Sequence, residues 1–449
     1  MSKQRIRLSD HFTYPRLLRF VLPCIGTMLF TSIYGIVDGL CVSNFVGKTA
    51  FAAVNLIMPL PMLLGTIGFM LGTGGSAIVG ITLGEGDQKK ADRYFTLFLL
   101  AALVSVSVLA VLGIVFLRPI AVLLGAKGEL LDYAVRYGRI LMVSLPTFAL
   151  QNMFQSFFVT AEKPHLGFWF TVGAGCTNMV LDVLMVGVWG WGVEGAAIAT
   201  FISQLVGGVL PVFYFIDRSN TSRLHLCQTK VYGGVLRDAC INGSSELMTN
   251  LSMSLVNILY NYQLLRLAGE NGVAAYGVIM YAAFLFVAVF VGYAVGSAPI
   301  VSFHYGARNH AEVHNLYRKS LRLIAVVAVT LTLASMFIIP CVARVFVGYD
   351  AELLALTSRA FRLYALSFLI MGFNVYASSF FTALGDGVTS ALISFLRTLA
   401  FQVIAILLLP MLLGIDGIWL AVTAAELAAL AVSAAMLLTK DKVFHYRKV

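Results

Sequence analysis

Asn178 and Asp182 stand four residues apart in an otherwise apolar run, TVGAGCTNMVLDVLMVGVWGWGVEGAAIAT (Thr171–Thr200). On a helix that spacing stacks both side chains on one face. Inside a membrane an ionised acid costs at least about 2.5 kcal/mol, so it faces a bundle interior or a wet cavity and marks a path for ions, protons or substrate. The bland alternative is a structural acid bonded to a neighbouring helix. Of 21 acids, 17 fall in loops or near the ends of apolar runs, and four lie well inside: Asp38, Asp182, Glu246 and Glu426. Two carboxylates in one cavity repel when both are ionised, so they share a proton or recruit a cation. Either outcome is the chemistry of ion coupling: a proton exchanges, or sodium sits among both carboxylates and nearby oxygens. Glu246 and Glu426 have no partner that spacing identifies, and a structural role competes for them. Asn152 with Gln155, and Thr200 with Gln204, are polar pairs in further apolar runs and are candidates to line the same cavity.

These residues need elements to hold them, and the composition says which. The chain has 449 residues, 59% hydrophobic and 12% charged. Soluble domains carry about 25% charged residues, so this is an all-α polytopic membrane protein. Twelve apolar spans follow a basic lead: 17–44, 50–80, 94–117, 133–159, 165–188, 194–216, 236–264, 273–303, 319–346, 356–383, 388–412 and 415–438. Each is near or above the roughly 20 residues a membrane helix needs. The second span is uncharged from Thr49 to Gly84 and holds Pro59 and Pro61, which predicts a long, bent helix. With the N-terminus inside, inner segments hold 21 Lys and Arg and outer segments nine, which puts both termini in the cytoplasm.

The chain also repeats itself. GVEGAA (Gly192–Ala197) returns as GIDGIW (Gly414–Trp419), Thr160-Ala161 as Thr382-Ala383, and Leu83-Gly84 as Tyr305-Gly306, each displaced by 222. Gly75-Ser76-Ala77 returns as Gly296-Ser297-Ala298 at 221, and Glu129-Leu130-Leu131 with Arg136 and Arg139 returns as Glu352-Leu353-Leu354 with Arg359 and Arg362 at 223. A six-span unit inserts both copies in the same orientation, so two pseudo-twofold-related six-helix lobes should flank a central cavity. Residues 1–216 are expected to form one lobe, 217–235 a polar cytoplasmic linker and 236–449 the other. Gln204 and Glu426 are repeat equivalents, neutral in one lobe and acidic in the other.

Several other chemistries fail. The net charge of +10 sits in short loops without a basic, aromatic-laced patch, which excludes nucleic acid. Six scattered cysteines give neither a disulfide framework nor a zinc site. Gly47-Lys48-Thr49 has Val42 where a phosphate-binding loop needs glycine. The glycine cluster Gly72–Gly75 reads as close helix packing. His304, His310 and His314 fall near a cytoplasmic loop and are expected to be solvated. The N-terminal run lacks a signal-peptide cleavage pattern. A membrane-embedded enzyme needs a nucleophile or metal set that the spacing does not supply, so no enzyme is expected.

The chain resembles the multidrug and toxic compound extrusion family, within the group that includes lipid-linked oligosaccharide flippases. The likeness runs essentially end to end. It rests on Pro23 with Asp38, GKTAFAAVNLIMPL (Gly47–Leu60), GSAIVGITLGEGDQKKA (Gly75–Ala91), Asn178 with Asp182, GVEGAAIAT (Gly192–Thr200) and Glu246. GIWLAVTAAEL (Gly417–Leu427) points to the MepA-like bacterial branch. The resemblance implies a V-shaped pair of lobes and a secondary antiporter exporting cationic or amphiphilic compounds in exchange for protons or sodium. It implies that Asp38, Asn178, Asp182 and Thr200 bind or relay the coupling ion, sodium included. Asn152 and Gln155 would line the adjoining drug cavity, with Glu246 the acid of the other lobe. Some branches use a tenth-span acid where this chain has Asn374, which favours the first lobe for coupling. A monomer in the cell membrane is expected, with membrane lipid around it, amphiphilic cations as substrates, no nucleic-acid partner and no cofactor besides the coupling ion. The competing reading is a flippase for a lipid-linked precursor. It calls for a cationic cavity, whereas the spans hold four acids and one mid-span base, Arg397.

Overall fold

Apolar chain in lipid must satisfy its backbone hydrogen bonds internally, and within one segment only a helix does that. The protein, seen here in a computed structural model, is described over residues 6–45, 48–348 and 350–447, and every regular element in them is helical. Gly47 of the Gly47-Lys48-Thr49 triplet lies outside the described residues.

In chain order, α1 is Tyr14–Phe45, and α2 runs as Lys48–Ile57 and Pro59–Gly84. Then come α3 (Gln88–Leu123), α4 (Glu129–Thr160), α5 (Pro164–Val188) and α6 (Gly192–Ile216). Gly233–Gly306 is continuous in hydrogen bonding but breaks at Gly269, where φ is 60°, and its two arms are α7 and α8. The second half continues with α9 (His310–Val347) and α10 (Ala351–Ala365 with Phe368–Ala383, bent by 45°). It closes with α11 (Gly387–Leu413) and α12 (Ile415–Thr439). Among the described residues nine helices are long and apolar enough to span a membrane, and the bent α10 pair makes a tenth. Counting the arms of Gly233–Gly306 separately, and adding the 32-residue but more polar α4, reaches the twelve that the sequence predicts. The break in α2 falls at Met58, just before Pro59 and Pro61, as their missing N–H groups require.

The repeat reappears as geometry. Asp87 caps α3 by accepting from the Lys90 N–H at 3.0 Å, and Asn309, 222 residues on, caps α9 by accepting from the Glu312 N–H at 3.1 Å. The tight turns before those caps hold Gly86 at φ 87° and Arg308 at φ 55°. Arg136 pairs with Glu194 at 3.7 Å, and their counterparts Arg359 and Asp416 pair likewise. Where the halves meet, a Cβ on Gly84 would press on the Phe303 carbonyl oxygen, and one on Gly306 would press on that of Ile81. Under a shift of 222 those contacts exchange, so the pseudo-twofold axis passes through the α2–α8 crossing. Off the axis, Gly74 of α2 packs on Gly243 of α7, and its equivalent Gly296 of α8 packs on Val21 of α1. The glycines of α2 thus serve close packing, as their clustering predicts.

These crossings lie toward the end of the bundle that carries both chain termini. Gly84→Ala is expected to overpack the axis and destabilise by about 1–3 kcal/mol. Gly277→Ala, in α8 with nothing within 4 Å of its would-be Cβ, should be neutral or slightly stabilising. Melting of the two purified variants in detergent compares them directly; equal melting temperatures would refute the close approach at the axis.

Candidate functional site

The first half brings Asp38 of α1, Asn178 and Asp182 of α5 and Thr200 of α6 together. Asp182 is 0% exposed and Asn178 2%. The Asp38 and Asp182 carboxyls face one another directly. Asn178 Nδ2 donates to Thr200 Oγ1 at 3.4 Å, which ties α5 to α6 beside the acids. Gly175, one turn before Asn178, lets α5 close on Phe30 and Tyr34 of α1; any Cβ there would strike the Phe30 ring at 2.5 Å. Directly after Asp182 the helix loosens into a π-turn, Val183–Val188. Such turns sit disproportionately at functional sites. Sequence periodicity carries no sign of it, nor of Tyr34, which lies close enough to feel the Asp38 charge, and Tyr137, which feels both carboxylates.

The electrostatics of this pocket are unfinished. Asp182 Oδ1 and Oδ2, Asp38 Oδ1 and Asn178 Oδ1 are all buried without a hydrogen-bond partner among the described residues. Buried acceptors are normally satisfied, and a buried charge needs a partner. Two opposed carboxylates with a hydroxyl and an amide oxygen beside them fit a shared proton, or a small hard cation held by oxygen ligands. No cluster of three His, Cys, Asp or Glu side chains with metal-ligand geometry occurs among the described residues.

The second half is built differently. A cavity of about 710 Å³, open mouth included, lies between the halves, with Glu246 of α7 and Arg397 of α11 on its wall. Arg397 sits in a second π-turn, Leu396–Ala400. Its Nε lies 3.5 Å from Glu426 Oε1, and Glu426 is 1% exposed. Asn374 Nδ2 donates to Glu426 Oε2 at 2.7 Å, and Ser433 donates to Asn374 Oδ1 at 2.9 Å. Asn374 and Glu426 are the counterparts of Asn152 and Gln204 at a shift of 222. In the first half the same pair is unjoined: Asn152 Nδ2 and Gln204 Oε1 are buried without partners among the described residues. Gln155 lines a separate, smaller cavity with Cys24, Thr27 and Met28, and Asn152, 5% exposed, lies on the wall of neither.

The match to known proteins follows this two-copy design. The MatE family model matches twice, over residues 23–184 and 247–408, once in each half. The chain belongs to the MatE family. The multidrug export protein MepA of Staphylococcus saprophyticus is 21% identical over 433 residues, covering 95% of this chain and 94% of that protein. MepA of Staphylococcus aureus is 21% identical over 432 residues, with 96% and 95% covered. Among solved structures, a MATE protein in complex with MaL6 superposes with a TM-score of 0.90 at 22% identity, 96% of each chain covered. A multidrug resistance MATE family transporter of the MOP superfamily in an outward-facing conformation also gives 0.90, at 23% identity and 96% of each chain. The MatE fold of this chain is therefore secure, as is its multi-pass membrane character.

One sequence expectation is corrected. His304 is not solvated: it is 2% exposed, edge-on to Phe12 and Phe303. His314 is engaged as well, through Nδ1 to the Tyr446 carbonyl at 2.9 Å. The loop position predicted water, but the N-terminal segment folds over it.

Proposed function

We propose that this MatE protein is a secondary active antiporter that exports cationic or amphiphilic compounds in exchange for protons or sodium. The observation that carries the reading is the set of four unsatisfied oxygens on Asp38, Asn178 and Asp182. They form a site whose charge state must change when a proton or cation arrives. The MepA relatives, named as multidrug export proteins, supply the substrate class.

In this reading residues 1–216 and 236–449 are the two lobes and 217–235 their linker. Both termini face the cytoplasm across the cell membrane, and the protein works as a monomer. Ion binding draws Asp38 toward Asp182, with Asn178 and Thr200 as further oxygen donors. It bends or rotates α1 near Gly35 or Gly39, which alters the space left to a substrate held beside Asn152 and Gln155. Glu246 faces the central cavity as a second anionic contact.

Proteoliposomes loaded with ethidium test this. A pH gradient or a sodium gradient, imposed separately, is expected to drive dye movement, and the effective one names the ion. If neither moves the dye, the antiport reading falls and a lipid-linked precursor becomes the substrate to try.

A further inference from the structure

The chemistry of the central cavity is unlike that expected for a site holding only lipophilic cations. Its wall is rich in hydroxyls: Thr73, Ser76 and Ser156 from the first half, Ser245, Thr249 and Ser378 among those from the second. Several donate to their own helix backbone, as Thr73 does to Phe69 O at 3.0 Å and Thr249 to Ser245 O at 2.8 Å, so their protons are already engaged. Into the space between these hydroxyls and an apolar face that includes Val291, Val295 and Val375 reach one guanidinium and one carboxylate.

Arg397 is the unusual member. It is the mid-span base of α11, its side chain is 15% exposed, and it sits in a π-turn. Its closest approach to Glu426 is 3.5 Å, at Nε, too long for the parallel double bond that arginine makes with a carboxylate. Among the described residues Nε is a buried donor without a partner and the two terminal nitrogens donate to no protein partner either, while the side chain lines the cavity. Glu426 is otherwise occupied by Asn374. The charge of Arg397 is thus balanced from behind, while the planar fork that reads carboxylates stays available in front. Glu246 stands on the same wall, within electrostatic range of Arg397 but without a hydrogen bond from it.

We propose that this cavity is a site for zwitterionic solutes, with Arg397 gripping an anionic carboxylate through its terminal nitrogens and Glu246 taking the cationic group. A ligand that is only cationic satisfies Glu246 but meets Arg397. One that is only anionic satisfies Arg397 but meets Glu246. A molecule bearing both charges satisfies both, and the hydroxyl wall accommodates its polar body. Arg397 is then the residue that determines specificity between esterified and free-acid forms of the same compound. The inference rests on the export reading only for its consequence, because binding itself needs no gradient.

The test uses rhodamine B, which carries a free carboxylate beside its cationic ring system, and its ethyl ester, which keeps only the cation. Equilibrium binding to the purified full-length protein is read by fluorescence anisotropy. The wild type is expected to bind rhodamine B about tenfold or more tightly than the ester, as a charge-assisted bidentate contact warrants. Arg397→Gln should erase that preference by weakening rhodamine B alone, while Glu246→Gln should weaken both dyes. Should Arg397→Gln fold poorly with Glu426 left unpaired, Arg397→Gln with Glu426→Gln removes the pair together and makes the same prediction. Equal or tighter binding of the ester by the wild type, no binding of rhodamine B, or a parallel loss of both dyes in Arg397→Gln would overturn the proposal. Ethidium transport separates the two readings: export with no zwitterion preference sinks only this site, and preference without gradient-driven export sinks only the antiport.

Discussion

Asp182→Asn is expected to reduce gradient-driven export to background while leaving the protein folded in the membrane. The substitution preserves shape at a position that is 0% exposed, but it removes the charge and replaces one of two unsatisfied oxygens by a donor. That NH2 can bond the opposed Asp38 carboxylate permanently, imitating a protonated pair that never releases its proton. Folding should not suffer, because unpaired buried acceptors are a cost that the amide relieves. Melting temperature is therefore expected to hold or rise as transport is lost, a combination that a merely structural acid would not give. Asp38→Asn should behave in the same way, since the two carboxyls form one site. Proteoliposome efflux and detergent melting on the same preparations measure both quantities. Export undiminished in both variants would remove the coupling role of the pair, and lost export with a collapsed melting temperature would make the acids structural.

The site was readable in the sequence to the extent that physics forbids its residues elsewhere. An acid amid apolar residues is conspicuous, and the spacing of Asn178 and Asp182 sets them on one face of a helix. The repeat is legible because turns such as GVEGAA and GIDGIW keep their residue types, whereas the matching caps Asp87 and Asn309 differ in type and only the structure pairs them. What spacing could not reveal was any contact between distant spans. Glu426 has its partners on α10 and α11, at Asn374 and Arg397, and no local pattern links them. The two π-turns were hidden for another reason: a single wide turn leaves the apolar composition unchanged. The burial of His304 is not legible in the sequence because a loop-end position takes its exposure from whatever folds over it, here Phe12, itself 0% exposed.

That covering segment leads to an expectation of similar size: Glu312→Ala should release the N-terminal strap and loosen the end of the bundle that carries the termini. Residues before α1 cross to the second half, where Glu312 accepts from the Phe12 N–H at 2.9 Å and meets His11 Nδ1 at 2.6 Å. Lys319 donates to the Phe12 carbonyl at 2.6 Å, and at the near end the Leu8 N–H donates to Glu162 at 3.0 Å. The segment before α7 mirrors this by resting on the first half, with the His225 N–H on Asp92 at 3.0 Å and the Cys227 N–H on Thr96 at 3.1 Å. Each half is therefore held by the other's leader, and separating the halves at this end must strain both. Glu162 is kept at φ 60°, in the turn where the second half uses Gly385 at φ 82°. A carboxylate that bonds Leu8 and Arg223 at once gives a reason to hold a non-glycine there despite the left-handed backbone. Removing Glu312 orphans the Phe12 donor, at about 1–3 kcal/mol for a buried unsatisfied group. Glu312→Gln keeps an oxygen for Phe12 and should fall between the alanine variant and the wild type. Hydrogen exchange over residues 8–13 should lose protection in Glu312→Ala, and Ser302→Cys, buried beside the α2–α8 crossing, should become more reactive to a thiol reagent in that background. If protection and reactivity both stay at wild-type levels, the strap does not hold this end closed, and the α2–α8 glycine contacts alone do so.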